Sequence, residues 1–94
     1  MKLESAIQAE ILGWLNKQDN TMAYKHYESP VGFPDVAVLS LSRGTIYLEI
    51  KRSKKHKPRP IQKYMHEKIR KCGGEVYVVW SLKMVKDIFP IKKK

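Results

Sequence analysis

Between residues 3 and 17 the apolar side chains Leu3, Ile7, Ile11, Trp14 and Leu15 recur at three- and four-residue spacing. That period predicts an amphipathic helix. Asn16 to Asn20 is polar and marks its exit. Met22 to Glu28 alternates loosely, carries Tyr24, His26 and Tyr27, and reads as a first strand. Pro30, Gly32 and Pro34 then interrupt regular structure. Asp35 to Ser40 and Thr45 to Lys51 read as two strands, joined by turn chemistry at Ser42, Arg43 and Gly44. In the second of them Ile46, Leu48 and Ile50 share one face. Thr45, Tyr47, Glu49 and Lys51 share the other.

Pro58 and Pro60 hold off the next helix until about residue 60, where Pro60 suits a first helical position. This helix runs to about Lys71, with Ile61, Tyr64, Met65, Ile69 and Cys72 as its expected inner stripe. Gly73-Gly74 ends it as a left-handed cap. Glu75 to Trp80 reads as a fourth and central strand. Ser81 caps a short last helix through Phe89, Pro90 stops it, and residues 91–94 form a frayed tail. The order α-β-β-β-α-β-α describes an α/β fold, a mixed sheet flanked by helices. The helical crossover predicts that the third and fourth strands run parallel.

Ninety-four residues argue for a single domain, 1–94, small enough that a second subunit would help to stabilise it. Nineteen Lys and Arg against nine Asp and Glu leave a formal net charge of +10. That points to a polyanion: nucleic acid, or less readily an anionic membrane surface. No apolar run approaches the ~18 residues of a membrane helix, and no signal or lipidation motif is present. The single cysteine, Cys72, allows no internal disulfide and fits an intracellular, cytoplasmic setting, where it reads as a small core residue. Trp14, Tyr77 and Trp80 also read as core.

Against this background the stretch "GFPDVAVLSLSRGTIYLEIK" places charges where a sheet should form. Glu49 and Lys51 are two apart on a strand, so they project together roughly 6.5–7 Å from each other. A turn centred near Arg43 pairs position 35 with a residue around 49 to 51, so Asp35 and Glu49 can converge. Two close carboxylates do not both ionise comfortably without a cation, and a hard divalent ion takes oxygen ligands. The Ile50 carbonyl could add a third oxygen. Lys51 could stabilise charge that builds on a phosphate. These residues form a phosphodiester-cleaving centre in outline.

Gly32-Phe33-Pro34-Asp35, then Glu49-Ile50-Lys51, then Gln62 early in the next helix resemble the restriction-endonuclease-like PD-(D/E)xK nucleases. Within them the pattern is most similar to the virus-type replication-repair nuclease branch, VRR-NUC, in its stand-alone form of small phage proteins; the domain also occurs fused in a Fanconi-associated nuclease. The resemblance spans roughly residues 3 to 89. It implies a restriction-endonuclease-like fold and a Mg²⁺- or Mn²⁺-dependent endonuclease. Asp35 and Glu49 would be metal ligands with the Ile50 carbonyl, Lys51 the catalytic lysine, and Gln62 a supporting catalytic residue. An acid on the first helix often completes such sites. Glu4, on the side of Ile7, Gln8 and Ile11, fits best; Glu10 is the other candidate. The resemblance also implies branched DNA, such as four-way junctions or flaps, and two symmetric cuts at a junction call for a homodimer.

The basic loop 52–60 carries Arg52, Lys54, Lys55, Lys57 and Arg59, with His56 among them. Beside a metal site such a loop contacts phosphates; neutralising six of them gives a log–log salt slope of about −5. Lys25, His26, Tyr27 and Arg43 could widen the basic face. No base-reading motif is present, so shape is the expected basis of recognition. Three rival readings stand beside this one: a DNA-binding module without catalysis, a nuclease subunit that needs a partner protein or acts on RNA, and a protein of anionic membrane surfaces.

Overall fold

The computed structural model describes residues 2–26 and 30–89. The seven elements follow the expected order: α1 (Glu4–Asn16), β1 (Thr21–Lys25), β2 (Val36–Ser40), β3 (Gly44–Ile50), α2 (Pro60–Lys71), β4 (Glu75–Val79) and α3 (Leu82–Ile88). This is an α/β fold of the restriction-endonuclease-like type. The expected strand residues Tyr27 and Glu28, the stop at Pro90 and the tail 91–94 lie outside the described residues. No helix among the described residues is long and apolar enough to cross a membrane.

The four strands lie in the order β1-β2-β3-β4. The first two pairings are antiparallel, and β3 and β4 are parallel, as a helical crossover between them requires. Alternation sorts the side chains. Val36, Val38, Ile46, Leu48, Ile50 and Val79 face α1 and α3 and form the core with Ile7, Ile11, Leu15, Val85 and Phe89. Ile11 is fully buried, so Ile11→Ala would cost about 2–5 kcal/mol. The opposite face carries Ala37, Tyr47, Glu49 and Val76, on the α2 side of the sheet.

Four expectations are corrected. The fourth strand is an edge strand, not a central one. Its apolar run reads as two-sided burial, but only Val76 and Val79 are buried. Once β3 has β2 on one side and β4 on the other, no later strand among the described residues pairs beyond β4. The inner stripe of α2 is only partly the expected one: Met65 and Ile69 are half-buried, Ile61 and Tyr64 are exposed, and the buried residues of the helix are Gln62 and His66. Cys72, one residue past that helix, is exposed rather than core. Leu3 is exposed, and its carbonyl instead accepts the Ala6 and Ile7 N–H groups that start α1. Trp14 and Tyr77 pack half-buried against the core, and Trp80 is half-buried.

Side chains occupy both sheet edges. The Asn16 amide donates to the Ala23 carbonyl at 3.0 Å and accepts the Ala23 N–H at 2.9 Å, which closes α1 onto the outer side of β1. Arg70 donates to the Val76 carbonyl at 2.8 Å on the free side of β4. Edges blunted in this way are poor templates for stray strands.

Two glycines are dictated by backbone shape. Gly73 has φ +89° and closes α2, with the Gly74 N–H returning to the Ile69 carbonyl at 2.9 Å. Gly32 has φ +85°, and a Cβ there would sit 2.6 Å from the Ile61 carbonyl oxygen. The loop that leads into Asp35 therefore lies directly against the first turn of α2. Only a residue without a side chain permits that approach.

Candidate functional site

Asp35, Glu49 and Lys51 gather at one end of the β2–β3 hairpin. Asp35 immediately precedes β2, Glu49 is the penultimate residue of β3, and Lys51 follows it. The register pairs Val36 with Leu48, so the next rung sets Asp35 opposite Glu49. One Asp35 carboxylate oxygen accepts the Ile50 N–H at 2.9 Å, and the Asp35 carbonyl accepts the His26 N–H at 2.9 Å. Side chain and backbone of Asp35 are thus both fixed by neighbouring strands.

Glu49 is 1% exposed, a rare condition for a carboxyl group. Its Oε2 accepts from Gln62 Nε2 at 3.3 Å and lies 3.7 Å from Lys51 Nζ. Its Oε1 lies 3.2 Å from His66 Nε2. Burial pushes the Glu49 carboxyl up to about 8. The hydrogen bond to Asp35 and the charge of Asp35 add to the rise, Lys51 opposes it, and Glu4 adds a further push. Burial also lowers the His66 imidazole below its usual range, helped by the charges of Arg70 and Lys51 and opposed by Asp35.

Gln62 ties the pieces together. Its side-chain carbonyl accepts Lys51 Nζ at 3.1 Å and the Arg59 N–H at 2.8 Å, while its NH₂ group reaches Glu49. The same side chain caps the first turn of α2, with Pro60 at the helix start. Gln62 thus couples the N-terminus of a helix to the ammonium and carboxylate of a strand end.

Of the two acids on α1, Glu4 is the one whose charge is felt at Glu49. Glu10 instead pairs with Lys2 at 2.8 Å on the surface. Asp35 and Glu49 form a donor set suited to a hard divalent cation, because a counter-charge would offset their mutual repulsion. The Ile50 carbonyl points to the same side of β3 as the Ile50 N–H, toward Asp35 and past the end of β2. Among the described residues no group of three or more His, Cys, Asp and Glu side chains could hold a metal ion. A backbone carbonyl, water or substrate oxygens would therefore have to fill out the shell.

Arg52, Lys54, Lys55, Lys57 and Arg59 project from the loop after Lys51 and are exposed. The loop is braced from within. Arg52 Nε donates to His56 Nε2 at 3.1 Å, and His56 Nδ1 lies 2.7 Å from Ser53 Oγ. Because His56 Nε2 accepts, its proton sits on Nδ1 and is directed at Ser53. Lys25 and His26 stand at the site's end of the sheet, since Lys25 pairs with Val36. Arg43 does not widen this basic face. It lies at the hairpin turn, about 20 Å along β3 from the carboxylates. There it donates to the Ile88 carbonyl at 2.6 Å and to Glu75 at 3.2 Å. Tyr27 lies outside the described residues.

Sequence reasoning missed His66 and the ring cluster beside the site. His26 packs against Phe33 with ring centroids 5.2 Å apart, and Phe33 packs against Tyr47 at the same separation. The signal for His66 was its position four residues after Gln62, which puts both on one helix face.

Among solved structures the chain is similar to a VRR_NUC domain with a TM-score of 0.79 and 30% sequence identity, over 96% of this chain and 97% of that one. It is also similar to a VRR_NUC domain protein with a TM-score of 0.79, over 95% of this chain and 87% of that one; at 18% identity this likeness bears on the fold alone. No protein-family model matches the chain, and no curated protein matches it by sequence.

Proposed function

Because the chain belongs to the VRR-NUC family of nuclease domains, we propose that it hydrolyses phosphodiester bonds in DNA as a Mg²⁺- or Mn²⁺-dependent endonuclease. The observation that carries this reading is the meeting of Asp35, Glu49, Lys51 and Gln62 at the hairpin end. Asp35, Glu49 and the Ile50 carbonyl would hold the cation, with Glu4 the outlying acid. When bound, the cation supplies Lewis acidity at a phosphate oxygen. Lys51 presents its ammonium where negative charge grows on that phosphate, and Gln62 holds the ammonium there. Arg52, Lys54, Lys55, Lys57 and Arg59 grip the backbone on either side and set its register.

None of these residues forms a base-reading element, so the reading favours recognition by shape and a branched substrate such as a four-way junction or flap. One site per chain makes one cut. Symmetric cleavage of a junction then calls for a twofold homodimer. The apolar side chains Ile61, Tyr64 and Val31, exposed by 40%, 61% and 74%, offer surface for a second copy.

Incubating the protein with duplex, junction, flap and RNA substrates, with Mg²⁺, Mn²⁺ or chelator, tests this reading. Metal-dependent cuts in branched DNA are expected. Tight binding to every DNA with no cleavage under either metal would instead mark a non-catalytic binding module. Sedimentation at micromolar concentration is expected to give a dimer. A monomer that still cuts a junction on both sides would refute the paired arrangement.

A further inference from the structure

The most buried side chains of α2 are polar, with the apolar Met65 and Ile69 only half-buried beside them. A surface helix ordinarily turns its apolar stripe inward. Here Gln62 and His66, one turn apart, are the buried residues, while Ile61 and Tyr64 face out. Both buried side chains end on the same group: Gln62 Nε2 is 3.3 Å from Glu49 Oε2 and His66 Nε2 is 3.2 Å from Glu49 Oε1. Burying polar groups costs free energy even when they are paired, and apolar packing would commonly hold a helix at least as well. The two deepest side chains of α2 are thus spent on the carboxylate they touch.

We propose that His66 is a positioning residue that, with Gln62, fixes the rotation of the Glu49 carboxylate toward a divalent cation shared with Asp35. An ionised carboxylate offers about four lone-pair sites. Gln62 and His66 each take one, on different oxygens, so the group cannot swing about its last torsion. The remaining lone pairs are left for a cation, and the register sets Asp35 on the strand directly opposite. The His66 side chain is 3% exposed, so water does not substitute readily for its N–H. Partners of this kind behind a ligand orient it and raise its affinity for the ion. The inference rests on the reading of Asp35 and Glu49 as cation ligands.

Calorimetric titration of the DNA-free protein with Mn²⁺ separates the two. Wild type is expected to bind. His66→Leu, which lacks a donor, is expected to lose about 10–100-fold in affinity. His66→Gln, which keeps an N–H donor, is expected to recover most of it. Equal affinity in wild type and His66→Leu would overturn the positioning role while leaving the cation site standing. Absence of Mn²⁺ binding in wild type would overturn both. Should His66→Leu fail to fold, ¹⁵N spectra of the imidazole in Mg²⁺-loaded wild type decide the matter. A proton on His66 Nε2 is expected, and a ring protonated on Nδ1 alone would overturn the proposal, since Nε2 could not donate to Glu49.

Discussion

The carboxylate of Asp35 accepts the backbone N–H of Ile50 at 2.9 Å, across the open end of the β2–β3 hairpin. One residue of the site is thus anchored to the backbone that carries another, Glu49. Asp35→Asn keeps the shape and an oxygen for that N–H but removes the charge. The Glu49 carboxyl should then titrate lower, though still above its ordinary value, because burial rather than Asp35 is the main cause of its rise. Cleavage should fall by ~100-fold or more, in line with the several kcal/mol a catalytic cation supplies. NMR titration of the Glu49 carboxyl carbon and single-turnover kinetics check the two halves separately.

The unusual acidity of Glu49 sets a pH dependence of stability in chelator. Its carboxyl titrates at about 8 in the folded chain against an ordinary 4.5. The folded state therefore keeps a proton that the unfolded chain gives up. That contribution is complete below about pH 4.5 and is lost as pH rises through 8. His66 acts in the opposite sense, since its folded imidazole titrates below its ordinary 6.5: its contribution is present above 6.5 and lost as pH falls. Between pH 6.5 and 8 Glu49 is the acting group. The unfolding free energy from urea titrations in EDTA should decline with rising pH across that window, by up to about 1.4 kcal/mol per pH unit. Glu49→Gln should flatten the profile.

Gly32→Ala should destabilise the fold and the site together. The backbone there is left-handed, and the new methyl would lie 2.6 Å from the Ile61 carbonyl oxygen. Strain of this kind costs on the order of 1–3 kcal/mol, and relief by backbone movement would shift the loop that ends at Asp35. Denaturant unfolding should show the loss, with a matching fall in cleavage rate.

The exposed loop lysines should affect binding without affecting chemistry. Replacing Lys54, Lys55 and Lys57 with Gln removes three cations beside Lys51. If each meets a phosphate, the magnitude of the log–log salt slope of DNA binding drops by about 3. Fluorescence anisotropy across a salt series measures it, and the cleavage rate at saturating protein should be preserved. An unchanged slope would place the DNA elsewhere on the surface.

The carboxylate convergence was legible in the sequence because strand geometry is local. A short turn between two alternating runs fixes the register, and the register sets Asp35 opposite Glu49. The helices and the parallel crossover were legible through period and capping. Ser81 accepts the Met84 N–H at 3.3 Å as a helix start requires. The orientation of α2 was not legible. Its apolar spacing through Ile61, Tyr64, Met65 and Ile69 named one face, but Glu49 is buried on the sheet and takes Gln62 and His66 as partners, so the helix is rotated to bury these two, with Met65 and Ile69 half-buried and Ile61 and Tyr64 exposed. That long-range pairing carries no local periodicity. The place of β4 failed for a related reason: an apolar run does not say whether another strand follows on its far side. Arg43 was misplaced because a cation's neighbourhood depends on which end of a strand it occupies.

The most direct measurement is single-turnover cleavage of a branched DNA by wild type, Asp35→Asn, Glu49→Gln and the double variant, with Mn²⁺ and with chelator. If the two acids grip one cation, each single change removes the cut, chelator does the same, and the double variant is no worse than either single one. Glu49→Gln cutting at the wild-type rate, or wild type cutting equally well in chelator, would contradict the account.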